Sequence, residues 1–196
     1  LANFVGYDDP ATAAVVETNY FLVDDFVNIM GGDVALIAGA TTVTANGTTG
    51  NDTINLSMHS RAMTIDAGTG VDTITGSTGN DTIVISSGDT GITIAAADTI
   101  TDFVTASTSI DLDAALNSYE EVDGTALANT VAAVVGALAL AGGGATDGGI
   151  VFNIAGSGNS VLFVDEDGSG TANAGDTVVV LIGVATAADV AGSDFI

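Results

Sequence analysis

Between residues 46 and 103 isoleucines recur at short intervals, each after an Asp-Thr pair and three of the four before a polar residue: Asp52-Thr53-Ile54-Asn55, Asp72-Thr73-Ile74-Thr75, Asp81-Thr82-Ile83-Val84 and Asp98-Thr99-Ile100-Thr101. One apolar side chain between two polar ones is the period-two pattern of a very short strand with one buried face. Gly, Asn and Thr before each aspartate predict tight turns between the strands. The units are nine residues long: 67–75 and 76–84 abut, and 47–55 follows the same register. Degenerate copies fit 58–66, closed by Ile65, and 85–93, with Gly88 and Ile92 in place. Repeats of this kind cannot bury their apolar residues alone and do so by stacking. The expected interior is therefore Ile54, Ile65, Ile74, Ile83, Ile92 and Ile100, with the threonines facing outward where β propensity favours them.

Elsewhere the pattern changes. Val15, Val16, Asn19, Tyr20, Val23, Phe26 and Val27 approximate a helical stripe over 11–28, with Asp9 as cap and Pro10 in the first turn. A second helix is expected over 120–141, where Glu120, Glu121 and Asp123 precede an Ala, Val and Leu-rich stretch ended by Gly142-Gly143-Gly144. Val161–Val164 and Thr177–Ile182 read as strands on either side of an acidic loop. The organisation expected is a lead-in over 1–45, a repeat region over 46–103 and a C-terminal cap over 104–196.

Charge narrows the function. The 196 residues carry 25 Asp and Glu against one basic residue, for a formal charge of −24, yet 47% are hydrophobic and mean hydropathy is +0.52. A disordered acidic tail lacks that apolar content. With Arg61 the lone Lys or Arg, neither nucleic acid nor an anionic membrane surface is an expected partner, because both are bound through clustered cations. Without cysteine there is no thiolate metal site. The longest near-continuous apolar run, Val131 to Ala141, is shorter than the ~20 residues of a spanning helix, so no transmembrane segment is expected. No basic, then apolar, leader follows Leu1, which suggests a processed chain or part of a longer one. Catalysis has little to build on. His59 is the single histidine, expected at a surface or in a turn, and neither HExxH nor Gly-x-Ser-x-Gly occurs. No Trp is present to form a sugar platform, and the chain is not expected to be an enzyme.

The nine-residue units resemble the hemolysin-type calcium-binding nonapeptide of the RTX family, Gly-Gly-x-Gly-x-Asp-x-apolar-x. The second half, Gly-x-Asp-x-Ile, is kept at 50–54, 70–74 and 79–83, while Thr48, Ala67 and Ser77 depart from glycine in the first half. The resemblance implies a mainly β fold, a parallel β-roll (calcium-binding β-solenoid), here with short flanking helices and a C-terminal β-hairpin cap. In that family two units make one turn, and calcium is held between turns. Carried over, the ligands are the carboxylates of Asp52, Asp72, Asp81 and Asp98 and the carbonyls of Gly50, Gly70 and Gly79. Asp52 with Asp72 (twenty apart) and Asp81 with Asp98 (seventeen apart) would be the pairs sharing an edge. The other reading is that these aspartates only cap turns through Asx hydrogen bonds. The stretch 97–103 followed by Ser109-Ile110-Asp111-Leu112 is similar to the segment that closes such rolls, with Asp102, Asp111 and Asp113 read as a solvated acidic loop. Residues 188–196 resemble the uncleaved C-terminal signal of type I secretion substrates.

A second calcium motif is independent of the repeats. Along Asp165–Asp176, Asp165, Asp167, Ser169, Asn173 and Asp176 occupy positions one, three, five, nine and twelve of an EF-hand loop, with Gly170 at the sixth and Thr171 at the seventh, backbone-carbonyl position. Asp176 stands where a bidentate Glu is usual, and the flanks predict a β-hairpin in place of helices. Two carboxylates ~5 Å apart repel by about 3 kcal/mol at an effective dielectric of 20, so stacked aspartates need cations to fold. Calcium is the expected cofactor. The function expected is an extracellular, calcium-stabilised structural protein, an S-layer or matrix component. It would fold on calcium after type I secretion and form homo-oligomers or polymers on a cell-surface polysaccharide. The alternatives are a non-catalytic calcium-binding secretion module of a longer exoenzyme or adhesin, and a halophile's acidic soluble domain.

Overall fold

The structure, a computed structural model, describes residues 19–21, 27–28, 43–57, 59–112, 115–122, 148–154 and 156–196. Through the repeats the chain passes back and forth between two sheets. The first is wholly parallel, in the order β1 (Asn19–Phe21), β3 (Val43–Thr48), β5 (Met63–Gly68), β7 (Asp81–Ile85) and β9 (Thr108–Leu112). β2 (Val27–Asn28), β4 (Thr53–Asn55), β6 (Thr73–Thr75) and β8 (Asp98–Ile100) run parallel in the second. Parallel strands thus extend on both sides of 46–103.

Register follows the isoleucines. Ala45, Ile65, Ile83 and Ile110 align across the first sheet, and Ile54, Ile74 and Ile100 across the second. All seven are at most 1% exposed and form one core between the sheets. A slip of one residue would turn each Ile outward and a Thr inward, so burial fixes the pairing. The turn at 86–97 breaks the nonapeptide count. Ile92 lies there half-buried, outside the core, and Ile85 takes an interior place instead, a correction to the regular spacing.

The second sheet continues beyond β8. β13 (Thr177–Leu181) pairs parallel with it, β12 (Asn159–Asp165) antiparallel with β13, β11 (Gly148–Ile154) antiparallel with β12, and β10 (Ser118–Val122) parallel with β11. The β12–β13 hairpin is as expected. One face of this extension, with Val151, Leu162, Val164, Val179 and Leu181, joins the core between the sheets. The other carries Phe152, Val161, Phe163, Val178 and Val180, buried around Ala97. Burial on both faces explains why β13 is apolar at four consecutive positions.

Two expected helices are corrected where the structure describes them. Asn19–Phe21 and Val27–Asn28 are strands on β3 and β4, in keeping with their aromatic and β-branched residues. Glu120 and Glu121 lie in strand β10; residues 123–147 are outside the described set. Short 3-10 turns occur at Ala187–Asp189 and Gly192–Asp194. Among the described residues no helix is long and apolar enough to cross a membrane.

Candidate metal centre

The hairpin loop between β12 and β13 brings Asp165, Asp167 and Asp176 together, each offering a carboxylate oxygen within 4.8 Å of the others. Asp165 ends β12, and Asp176 stands one residue before β13, so the paired strands fix the two buried ends while Asp167 is exposed at the mouth. Local hydrogen bonds shape the loop. Asp165 accepts the N–H groups of Ser169 (3.1 Å) and Gly170 (2.8 Å), and Asp176 those of Glu166 (3.1 Å) and Asn173 (2.7 Å). Gly170 has φ +68°, the left-handed turn the sequence requires at that position. The Asn173 amide donates to Asp167 (3.0 Å), to Ser169 Oγ (3.0 Å) and to the Thr171 carbonyl (3.2 Å). All seven residues singled out in this loop therefore lie in one network. Hydrogen bonds from Ser169 hold Asp167 below the usual carboxylate range, whereas burial raises Asp176, aided by the charges of Asp165 and Asp167. Each carboxylate oxygen keeps a lone pair beyond its hydrogen bond. An all-oxygen, acidic donor set of this kind fits a hard divalent cation.

The repeat aspartates form a different arrangement. Asp52, Asp72 and Asp98 stand one above another on the second sheet's side. The N–H of Asp52 donates to Asp72 Oδ1 (2.7 Å), and that of Asp72 to Asp98 Oδ1 (2.8 Å). One oxygen in each, Asp52 Oδ1, Asp72 Oδ2 and Asp98 Oδ2, is buried without a hydrogen-bond partner. Burial pushes Asp98 up to about 7 and Asp72 to about 6; the neighbouring aspartate and Asp89 add to the rise, against the pull of the backbone N–H each accepts. A row of buried carboxylates with orphan oxygens binds either protons or cations.

Asp81 is not part of that row. It begins β7 in the first sheet, whereas Asp98 begins β8 in the second, which corrects their assignment to one edge; the partner of Asp98 is Asp72, 26 residues away. Asp81 staples its own turn, accepting Ser77 N–H (2.6 Å) and Ser77 Oγ–H (2.8 Å), and the Met63 N–H (2.9 Å) of the turn before. Asp52 likewise accepts the Thr48 N–H at 2.7 Å, so both aspartates cap the turn four residues before them, where an Asx turn would reach two residues ahead. Asp102 bonds the Gly76 N–H at 2.9 Å and is raised by burial, with the charge of Asp81 contributing. Gly70 and Gly79 serve close stacking: a Cβ on Gly70 would strike the Gly50 carbonyl one turn below, and one on Gly79 the backbone of Arg61 and Ala62. His59 is in a turn as expected but buried, its N–H on the Leu56 carbonyl.

Three acids escaped the sequence reading. Asp89 carries no repeat signature, yet it caps the Ser86 N–H and faces the row. Glu166, between Asp165 and Asp167, accepts the Thr177 hydroxyl at 2.6 Å. Asp194 was read only as part of the C-terminal stretch 188–196, and it is buried on the turn at 105–106. Asp113 is outside the described residues. No family model matches the sequence, and no match is found among curated proteins.

Proposed function

We propose that this is an extracellular, calcium-stabilised structural protein of the RTX type, a parallel β-roll that folds on calcium after export and assembles with copies of itself at a cell surface, as an S-layer or matrix component. The observation that carries the reading is the convergence of Asp165, Asp167 and Asp176 in a hairpin loop of EF-hand spacing. The alternation of strands between the first sheet and the parallel strands of the second supports a roll, and the buried aspartate row gives calcium a second place to act. At −24 the chain repels itself, and cations that bind only the folded state stabilise it by mass action. Calcium would stay low before export and reach millimolar levels outside, so folding would follow export.

The test is circular dichroism with sedimentation velocity, titrating calcium from chelator to millimolar concentrations with magnesium as control. Calcium-specific gain of β signal followed by growth in mass is the expected result. A chain fully folded in chelator and unchanged by calcium overturns the proposal. Gain of β signal without growth removes the assembly half and leaves a calcium-binding module.

A further inference from the structure

We propose that the turn at 86–90 couples the two candidate cation sites: a cation that closes the hairpin loop holds the turn, and the turn holds the aspartate row in the arrangement that takes a second cation. The proposal rests on the calcium reading above and adds a link between its two sites, with Ser87 as the positioning residue.

The turn is where the coil departs from its own pattern. On the edge that carries the row, the passages from the first sheet to the second are 49–52 and 69–72, four residues each, and then 86–97, twelve. The extra length reaches the hairpin. The Ser87 hydroxyl donates to the Gly175 carbonyl at 3.0 Å, and the Val178 N–H donates to the hydroxyl oxygen of buried Thr90, also at 3.0 Å. These two contacts stand on either side of Asp176, the loop acid that leads into β13. Between them the turn closes on itself: the Asp89 N–H donates to the Ser86 carbonyl (3.0 Å) and the Ser86 N–H to Asp89 Oδ2 (2.9 Å).

The other side of the turn meets the row. The Gly70 N–H donates to the Asp89 carbonyl at 3.1 Å. Gly70 in turn lies so close to Asp72 that an added Cβ would stand 3.0 Å from Asp72 Oδ1. That oxygen accepts the Asp52 N–H, and Asp72 Oδ2 beside it is buried without a hydrogen-bond partner. Contacts therefore lead from Asp176 through Gly175, Ser87, Asp89 and Gly70 to the carboxylate of Asp72.

Charge sets the sign of the coupling. The carboxylates of Asp165, Asp167 and Asp176 lie within 4.8 Å of one another, so without a cation their repulsion drives the loop open. Opening draws the Gly175 carbonyl away from Ser87 and releases the turn. A cation in the loop restores the bond, the row then takes its own cation more tightly, and by linkage a cation on the row tightens the loop.

The test follows hydrogen exchange of the Asp72 amide, whose bond to Asp98 reports the row, by NMR at pH 8 as calcium is added. Asp167→Ala with Asn173→Ala removes two side-chain donors and empties the loop over that calcium range. The pair should raise the calcium needed to protect the Asp72 amide about fivefold, the low end of couplings between sites. Combined with Ser87→Ala it should raise it no further than Ser87→Ala alone, and Ser87→Thr, which keeps a hydroxyl, should restore the fivefold effect. In chelator Ser87→Ala should leave the urea midpoint unchanged, because the bond forms only when the loop is closed; a loss there makes Ser87 a plain structural contact and overturns the proposal. Emptying the loop without effect on the row overturns it by making the sites independent. An effect that survives in full in Ser87→Ala does so by placing the coupling in β13. An Asp72 amide indifferent to calcium removes the row as a site and the proposal with it, while calorimetry on the same samples reads calcium binding at the loop and so decides separately whether the calcium reading stands.

Discussion

The backbone N–H of Asp72 donates to the carboxylate of Asp98, 26 residues further along the chain, at 2.8 Å. The same bond joins Asp52 to Asp72 at 2.7 Å. Asp72, in the middle, thereby offers its amide to the turn above and its carboxylate to the turn below. The row ties three turns together through buried polar groups, and it leaves one unsatisfied oxygen per turn. Stacking is secured while a charge problem is stored at the same place.

Asp98→Ala and Asp98→Asn separate these two effects. Removing the acceptor strands the buried Asp72 N–H, so Asp98→Ala should destabilise the protein by about 1–3 kcal/mol in chelator. The asparagine variant keeps an acceptor and removes the charge. At pH 8 in chelator it should unfold at a higher denaturant concentration than the wild type. Equal losses in both variants would show that the hydrogen bond plays no part.

The row also sets a pH dependence. Asp98 and Asp72 titrate at about 7 and about 6 in the folded protein, against 3.8 for an ordinary aspartate. Both values are raised, so folding takes up protons between the unfolded and folded values. The associated stability is fully present below about pH 4 and is lost as pH rises through about 6 and 7. In chelator, urea midpoints should therefore fall from pH 5 to pH 8. Calcium should flatten that slope if cations replace protons on the row, and an identical slope with and without calcium would confine the metal to the hairpin loop.

At the loop, Asp167 is the informative candidate ligand because it is exposed and supports little besides the site. Asp167→Asn should weaken calcium binding about tenfold, the kind of step that ligand charge count makes among oxygen-donor sites. Thermal unfolding in chelator should not move. Calorimetric titration measures the first and a melt the second; unchanged affinity would exclude Asp167 from the coordination sphere.

How far the fold could be read in advance depended on where a local pattern coincided with a stacking partner. Ile54, Ile74 and Ile100 were legible because each sits alone between polar residues, and burial of one dictates the next. Ile92 fitted the count equally well, but the turn at 86–97 is longer than a nonapeptide and leaves it outside the core. Tyr20 and Val27 satisfied a helical stripe that strand pairing overrode. The convergence of Asp165, Asp167 and Asp176 was legible, though the contact of Glu166 was not, since the loop's geometry is set by residues within twelve positions of one another. In the aspartate row the Asp52–Asp72 pair was legible from its spacing, and the place of Asp98 was not. Partners 20 and 26 residues apart share no fixed spacing, so Asp81 and Asp98 were paired by number when sheet assignment separates them.

The same stacking makes Gly79 a sharp test of how the turns pack. An ideal Cβ there would lie 2.5 Å from the Ala62 nitrogen and from the Arg61 carbonyl carbon. Backbone on the turn before cannot move aside without breaking the Met63–Asp81 bond beside it. Gly79→Ala should then destabilise by about 1–3 kcal/mol, as overpacking does in cores. Gly88 supplies the control. A Cβ meets nothing there, and only its φ of +85° opposes alanine, so Gly88→Ala should lose about 1 kcal/mol through strain at one residue. Denaturant midpoints of the two variants in saturating calcium decide the matter. If Gly79→Ala is the milder of the two, the turns do not pack at the spacing described and the close stacking of 79 on 61–62 is wrong.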